Sequence, residues 1–296
     1  MNYFLLSISA LSFVASNSVQ KYVGNKTLHS DGDIYKFNAF SFGFCIIFFA
    51  VLSIGSGFSA FSVGTGIIFG VLTVFATVYK MKAFKSGPMT PTVLATTSSM
   101  IIPSVSGTLF FGEEFKLLKT VAMLFFIGCV VFSLSKPKTE NSGSIEAEPE
   151  DCKKITSKWF LYCAIAFFST GFIGLLQKFH QNSIHKDELF AFLASAFLVS
   201  CVYAVIESKI KKAEVLVDSK FVFFAGIVGV CTFANNFLNL RLSGVIPSQI
   251  FFPLANGVPV LLLTIFSKLI FKEKLSKRQV IGLCGGALSI IAICFL

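Results

Sequence analysis

Gln20-Lys21-Tyr22-Val23-Gly24-Asn25 closes the first apolar run of the chain, and Gln177-Lys178-Phe179-His180-Gln181-Asn182 closes another 157 residues later. Ser86-Gly87 and Ser243-Gly244 recur at the same 157. Ala39-Phe40 and Ala191-Phe192 recur at 152, and Leu109-x-Phe111-x-Glu113 recurs at 160 as Leu269-x-Phe271-x-Glu273. Four landmarks in one order, with drifts that loops absorb, mark a duplicated half. A single Gln-Lys-aromatic match would carry no such weight.

The duplicated unit is a membrane unit. Of 296 residues, 54% are hydrophobic and 14% charged, with a mean hydropathy of +0.79. Soluble chains carry roughly 25% charged residues. The net charge of +10 is better explained by basic cytoplasmic loops than by nucleic acid, for which no module is visible. All of the eight Cys except Cys152 lie in apolar runs without CxxC spacing, so they read as packing residues, neither disulfides nor metal ligands.

A span needs about 20 residues, and uncharged windows place ten. Span 1 runs from about Tyr3 to Tyr22, and Gly55-Ser56-Gly57 divides the 37–79 window into spans 2 and 3. Span 4 covers about 90–111 and span 5 about 119–134; spans 6 to 10 fall near 159–178, 188–206, 220–240, 247–267 and 279–296. Between spans 5 and 6 the polar stretch Lys136 to Ser157 lacks apolar periodicity and reads as a flexible charged linker. The predicted organisation is an all-α membrane protein with a first five-helix repeat at 1–135, a linker at 136–157 and a second repeat at 158–296.

Five spans per repeat force the second copy to enter the membrane from the opposite side. The halves are then inverted about an axis in the membrane plane, an architecture that builds alternating access around a midplane site. Loops 1–2, 3–4, 5–6, 7–8 and 9–10 carry 20 of the Lys and Arg residues, against 5 in loops 4–5, 6–7 and 8–9. That split places both termini outside and the linker in the cytoplasm.

Every Asp, Glu and His falls in a loop or at a helix end, leaving no buried carboxylate pair, zinc motif or serine with a base for an enzyme. No cofactor or metal is expected. The absence also disfavours a carboxylate proton relay and export of cationic drugs. What the spans hold is neutral and polar, together with a repeated lysine. The substrate-binding candidates are Asn17, Gln20 and Lys21 on span 1, Thr96, Ser98 and Ser99 on span 4, and Gln177 and Lys178 on span 6. Asn235 and Asn236 on span 8 and Gln249 and Asn256 on span 9 complete the set. Buried amides need partners or water. Interhelical hydrogen bonding is the ordinary reading for any one of them, and their collection on matching helices of both halves favours a wet cavity. Lys21 and Lys178 would each read alone as snorkelling; their recurrence suggests a pair that attracts a carboxylate. Lys80, Lys82 and Lys85 close span 3 and Arg241 closes span 8; they read as interface anchors and topology signals, with an anionic-substrate vestibule as the alternative. Pro91, Pro103, Pro253 and Pro259 allow spans 4 and 9 to bend around a pathway. Gly128 and the Gly282-x-x-x-Gly286 spacing suit close packing of spans 5 and 10, within one chain or across a homodimer.

The tandem five-helix halves, Ser12 to Lys21, Phe111-Gly112-Glu113 before span 5, and Phe271-Lys272-Glu273 followed by Gly282 resemble the drug/metabolite transporter superfamily, in particular its ten-helix EamA-like members. The resemblance covers essentially the whole chain. It implies a central cavity between the halves, lined mainly by spans 1, 3, 4, 6, 8 and 9, with spans 5 and 10 peripheral. Two features depart from the family: loop 2–3 is uncharged, and the loop count reverses the cytoplasmic termini commonly drawn. Span 9 has no basic residue before Lys268, which disfavours a phosphorylated substrate. The expectation is a secondary transporter of a small polar or amphipathic metabolite, an amino acid or similar, in the lipid bilayer of a bacterial cytoplasmic membrane, with export slightly favoured. A lipid-carrier flippase subunit of the same fold and a non-transport membrane protein are the alternatives.

Overall fold

The computed structural model describes residues 2–87, 89–114, 117–134, 156–270 and 277–295. The predicted linker lies outside the described residues up to Thr156, as does the landmark Phe271-Lys272-Glu273. Among the described residues the chain is helical and has no strand. The first half gives α1 (Asn2–Lys26), α2 (Asp31–Ser53), α3 (Ala60–Ser86), α4 (Met89–Thr97), a 3-10 turn (Ser98–Met100), α5 (Ile101–Phe110) and α6 (Leu117–Leu134). The second gives α7 (Ser157–Gln181), α8 (Leu189–Ile210), α9 (Ser219–Ser243), α10 (Ser248–Ile270) and α11 (Lys277–Phe295), with a 3-10 turn at Lys186–Glu188.

Local chemistry sets the boundaries. Ser30 starts α2 with a capping box, its side chain accepting from Asp33 N while Asp33 takes the Ser30 backbone N–H. Ser59, Thr156 and Asp218 cap α3, α7 and α9 in the same side-chain-to-N3 manner. The α2–α3 break falls where Gly55 adopts φ +87, open to glycine at little cost. Span 4 is not one continuous α-helix: the 3-10 turn at Ser98–Met100 interrupts it, ending three residues before Pro103. Pro253 and Pro259, by contrast, sit inside an uninterrupted α10.

Among the described residues, six helical segments are long and apolar enough to cross a membrane: Asp31–Ser53, Ala60–Ser86, Pro91–Phe110, Ser157–Gln181, Lys186–Ile210 and Ser219–Ser243. Their outward faces are apolar as well. Ile68, Phe168, Phe172, Leu198, Val202 and Val230 are exposed in mid-helix, as expected where lipid is the solvent. The larger core joins α2, α3, α8 and α9 through phenylalanines, with Phe37 edge-on to Phe221, Phe49 stacked on Phe197 and Phe69 edge-on to Phe192.

Packing follows an exchange pattern. The most extensive contact is α2 on α8; α3 packs on α7 and α1 on α9; α3 packs on α8 and α9 on α2; α6 packs on α11. Swapping α1 for α7, α2 for α8, α3 for α9 and α6 for α11 reproduces the same set. Individual atoms repeat it. Ser200 Oγ of α8 donates to Gly70 O of α3 (2.9 Å), while Cys45 Sγ of α2 donates to Gly229 O of α9 (3.1 Å). A methyl group on Gly70 would meet Ala196 O, and one on Gly229 would meet Ser41 O and Phe44.

The helix ends are fastened in the same reciprocal way. Asp33 Oδ1 accepts from Glu214 N (2.9 Å) and Val215 N (2.8 Å), in the loop before α9. Glu188 Oε2 accepts from Ser59 N (3.0 Å) and Ser59 Oγ (2.5 Å), at the start of α3. Glu188 follows Asp33 by 155 residues, and Glu214 follows Ser59 by the same 155. Loops therefore meet in two groups: 1–2 with 7–8, and 2–3 with 6–7.

Candidate functional site

Nine of the twelve predicted residues are buried, Asn235, Asn236 and Asn256 are half-buried, and six of the twelve hydrogen-bond within their own helices. Thr96 donates to Thr92 O (3.0 Å), Ser98 to Leu94 O (2.8 Å), Asn236 to Thr232 O (2.9 Å) and Asn256 to Phe252 O (2.9 Å). Such back-bonding satisfies the donors and leaves amide oxygens to face elsewhere. Ser99, Gln177 and Lys21 are buried. Asn235 has the helix-bonding role: it donates to Ser9 O (3.1 Å) and Ser9 Oγ (3.0 Å), and Ser9 Oγ donates to Asn239 Oδ1 (2.8 Å), tying α9 to α1. Asn17 and Gln20 differ. Their amide nitrogens bond within α1, to Phe13 O at 2.7 Å and Ser16 Oγ at 3.4 Å, while Asn17 Oδ1 and Gln20 Oε1 are buried without a partner.

Lys178 is placed by a cluster that sequence spacing alone does not assemble. Its Nζ lies 2.6 Å from Glu113 Oε1 and donates to Ser243 O at 3.0 Å. The Glu113 carboxylate also accepts from Ser248 N (2.8 Å) and Ser248 Oγ (3.0 Å), which places it at the N-terminus of α10. The helix dipole and the lysine both favour the negative charge there. Beside this cluster opens a cavity of about 470 Å³, lined by Glu113, Lys119, Lys178, Asn182, Pro247 and Gln249 among others. Gln249 Nε2 donates to Thr108 Oγ1 (3.0 Å). Of the predicted residues, the structure brings Lys178 and Gln249 to this vestibule. The remaining ten lie on other helix faces.

The structure also pairs a serine with a base, which the sequence reading did not foresee. Ser62 Oγ lies 3.0 Å from His180 Nε2, inside the α3–α7 contact, with Phe192 stacked on the imidazole at 4.5 Å. Both residues are fully enclosed. Ser62 Oγ also accepts from Ser59 Oγ (3.2 Å), so the pair is a polar link between helices, closed to any substrate. His180 stands inside the repeated Gln-Lys-aromatic stretch where the first copy has Val23, and only the three-dimensional pairing exposes it.

Among the described residues, no group of three His, Cys, Asp or Glu side chains could hold a metal. On α11, Gly285 faces Cys129 and Gly286 faces Phe126 of α6, whereas Gly128 of α6, expected to serve the same close packing, is exposed with nothing near its would-be Cβ.

No protein-family model matches the chain, and no curated protein matches it. A solved crystal structure, described only as that of a protein, is similar over 99% of this chain and 96% of its own, with a TM-score of 0.69 at 10% identity. A likeness at that identity shows the fold alone.

Proposed function

We propose that this chain is a secondary transporter of a small polar or amphipathic metabolite, built as two inverted five-span halves that rock against each other in a bilayer. The observation that carries the reading is the reciprocal fastening: Asp33 of the first half holds the loop before α9, and Glu188 of the second holds the start of α3. A two-fold exchange axis lying in the membrane plane produces such a pair, and two unrelated bundles would have no reason to. The exchange pattern of helix packing supports the same axis. Ten crossings with both termini outside require loops 1–2 and 7–8 on one face and loops 2–3 and 6–7 on the other, the grouping that these bonds make.

Alternating access needs contacts that hold in one state and break in the other. The Lys178–Glu113–Ser248 cluster joins α7 of one half to the loop after α5 and to the α10 N-terminus. It closes one end of the bundle, above a break in the fourth span that offers a hinge. The EamA-like resemblance and the amide-bearing helices point to a neutral or zwitterionic solute. Dimerisation through α6 and α11 would use a face other than Gly285 and Gly286, which pack on α6, and could use the exposed face that carries Gly128.

The test is uptake of an isotope-labelled metabolite extract into vesicles holding the purified full-length protein. Protein-bearing vesicles are expected to retain specific solutes that protein-free vesicles exclude, and Asn256→Ala, or Gln20→Ala with Gln177→Ala, should slow their uptake. Equal retention with and without the protein would overturn the reading.

A further inference from the structure

Three lysines stand near the end of α3, and two are engaged at the loop. Lys82 Nζ lies 2.5 Å from Asp31 Oδ2, and Lys85 Nζ donates to His29 O at 3.1 Å. Lys80 turns the other way. Its Nζ lies 5.6 Å from the centre of the Phe13 ring, halfway along α1. Lys80 is half-buried, and among the described residues its ammonium meets no carboxylate and no hydrogen-bond acceptor. Snorkelling would carry the charge toward the helix end, as Lys82 and Lys85 do. An intramembrane cation without a counterion costs several kcal/mol, of which a ring face returns about 0.5–2. That cost marks a functional site by default.

The helix opposite supplies the complement. Phe13, Asn17, Gln20 and Gly24 follow one another at spacings of four, three and four, one stripe of α1. The stripe faces α3 at both ends: Phe13 meets Lys80, and Gly24 comes within reach of Met81. Between those contacts lie the two orphaned acceptors, Asn17 Oδ1 and Gln20 Oε1. Turning the Asn17 amide over would set its oxygen against Phe13 O, so the carbonyl is the end left over. An unpaired cation and two unpaired acceptors thus share one helix–helix seam. Each is expensive alone.

The geometry points to a solute site between α1 and α3 in which Lys80 receives a carboxylate, and the carbonyl oxygens of Asn17 and Gln20 receive a donor group on the same molecule. A zwitterion is the simplest solute that satisfies all three. An amine alone would be repelled by Lys80. A phosphate would bring two negative charges to one cation, because Lys82 and Lys85 are already engaged. This inference rests on the transport reading and names its substrate class.

Counterflow in vesicles holding the full chain separates the two. The probes are an equimolar mixture of L-amino acids, the matching mixture of amines lacking the carboxylate, and the matching mixture of 2-oxo acids lacking the ammonium. Wild-type protein is expected to exchange the amino acids, and to exchange the amines slower by about tenfold or more, since a site built for a polar group rejects the analogue without it. K80Q should lose amino-acid exchange to a similar degree, and K80R should restore most of it. Neither variant should lower the unfolding temperature by more than the loss of the Phe13 ring contact accounts for, because among the described residues Lys80 makes no ion pair or hydrogen bond. Amines exchanged as fast as amino acids, or K80Q at the wild-type rate, would remove Lys80 from the site and leave the transport reading standing. Retention from the metabolite extract of only solutes without a carboxylate would do the same. No exchange of any probe, together with no retention from the extract, would end both.

Discussion

Gly70 and Gly229 show what single residues contribute to the seam between the halves. Each gives its carbonyl to a donor on the opposite half, and each leaves room for a backbone where a methyl would not fit. Gly70→Ala and Gly229→Ala are each expected to cost about 1–3 kcal/mol, the usual penalty for overpacking a filled interior. Gly64 is the control: it lies on the same helix as Gly70, exposed, with nothing near its would-be Cβ. Gly64→Ala should stabilise by about 0.4–1 kcal/mol through the unfolded chain. Thermal unfolding in detergent reads all three, and equal behaviour of Gly64 and Gly70 would contradict the packing argument. None of this was legible beforehand, because spacing identifies a glycine and says nothing of which backbone approaches it. The three lysines near the end of α3 could not be told apart for a related reason: composition does not record that Lys82 meets Asp31 and Lys85 meets His29 O while Lys80 lies over the Phe13 ring.

At the scale of elements, the caps and the ion pair hold the ends. Asp33→Asn and Glu188→Gln should each lower the unfolding temperature, since each weakens charge-assisted bonds to backbone N–H groups of the opposite half. Their effects should add, because the two sites lie in different loop groups and share no partner. Lys178 and Glu113 behave differently. Glu113→Gln leaves a buried ammonium without its counterion, at a cost of about 3–5 kcal/mol, whereas Glu113→Gln combined with Lys178→Met should recover much of the loss. A double variant no more stable than Glu113→Gln alone would show that the pair is not coupled. Element positions were readable in the sequence, since uncharged windows and Gly55 mark where helices begin and end. The 3-10 break at Ser98–Met100 was not. Prolines announced that the fourth span could bend, but Pro253 and Pro259 lie in an uninterrupted α10, so proline alone does not locate a break.

For the whole molecule, the landmarks in the sequence and the exchange pattern in the packing are separate grounds for the two inverted halves we propose. The landmarks at 152 to 160 residues came from identity of letters; the Asp33 and Glu188 fastenings, 155 residues apart, came from hydrogen bonds between unlike residues. The site was less legible than the fold. An amide in a span has the same letter whether it bonds its own helix, as Asn236 does, a neighbour, as Asn235 does, or nothing through its oxygen, as with Asn17. Inversion across a membrane is the claim on which the transport account stands, and Asn25 and Asn182 test it most directly, being exposed copies of one position. In a cysteine-free background, Asn25→Cys and Asn182→Cys are each exposed to a membrane-impermeant maleimide in intact cells and in inside-out vesicles. The account predicts that Cys at 182 reacts only in cells and Cys at 25 only in the vesicles; reaction of both from one side would contradict it.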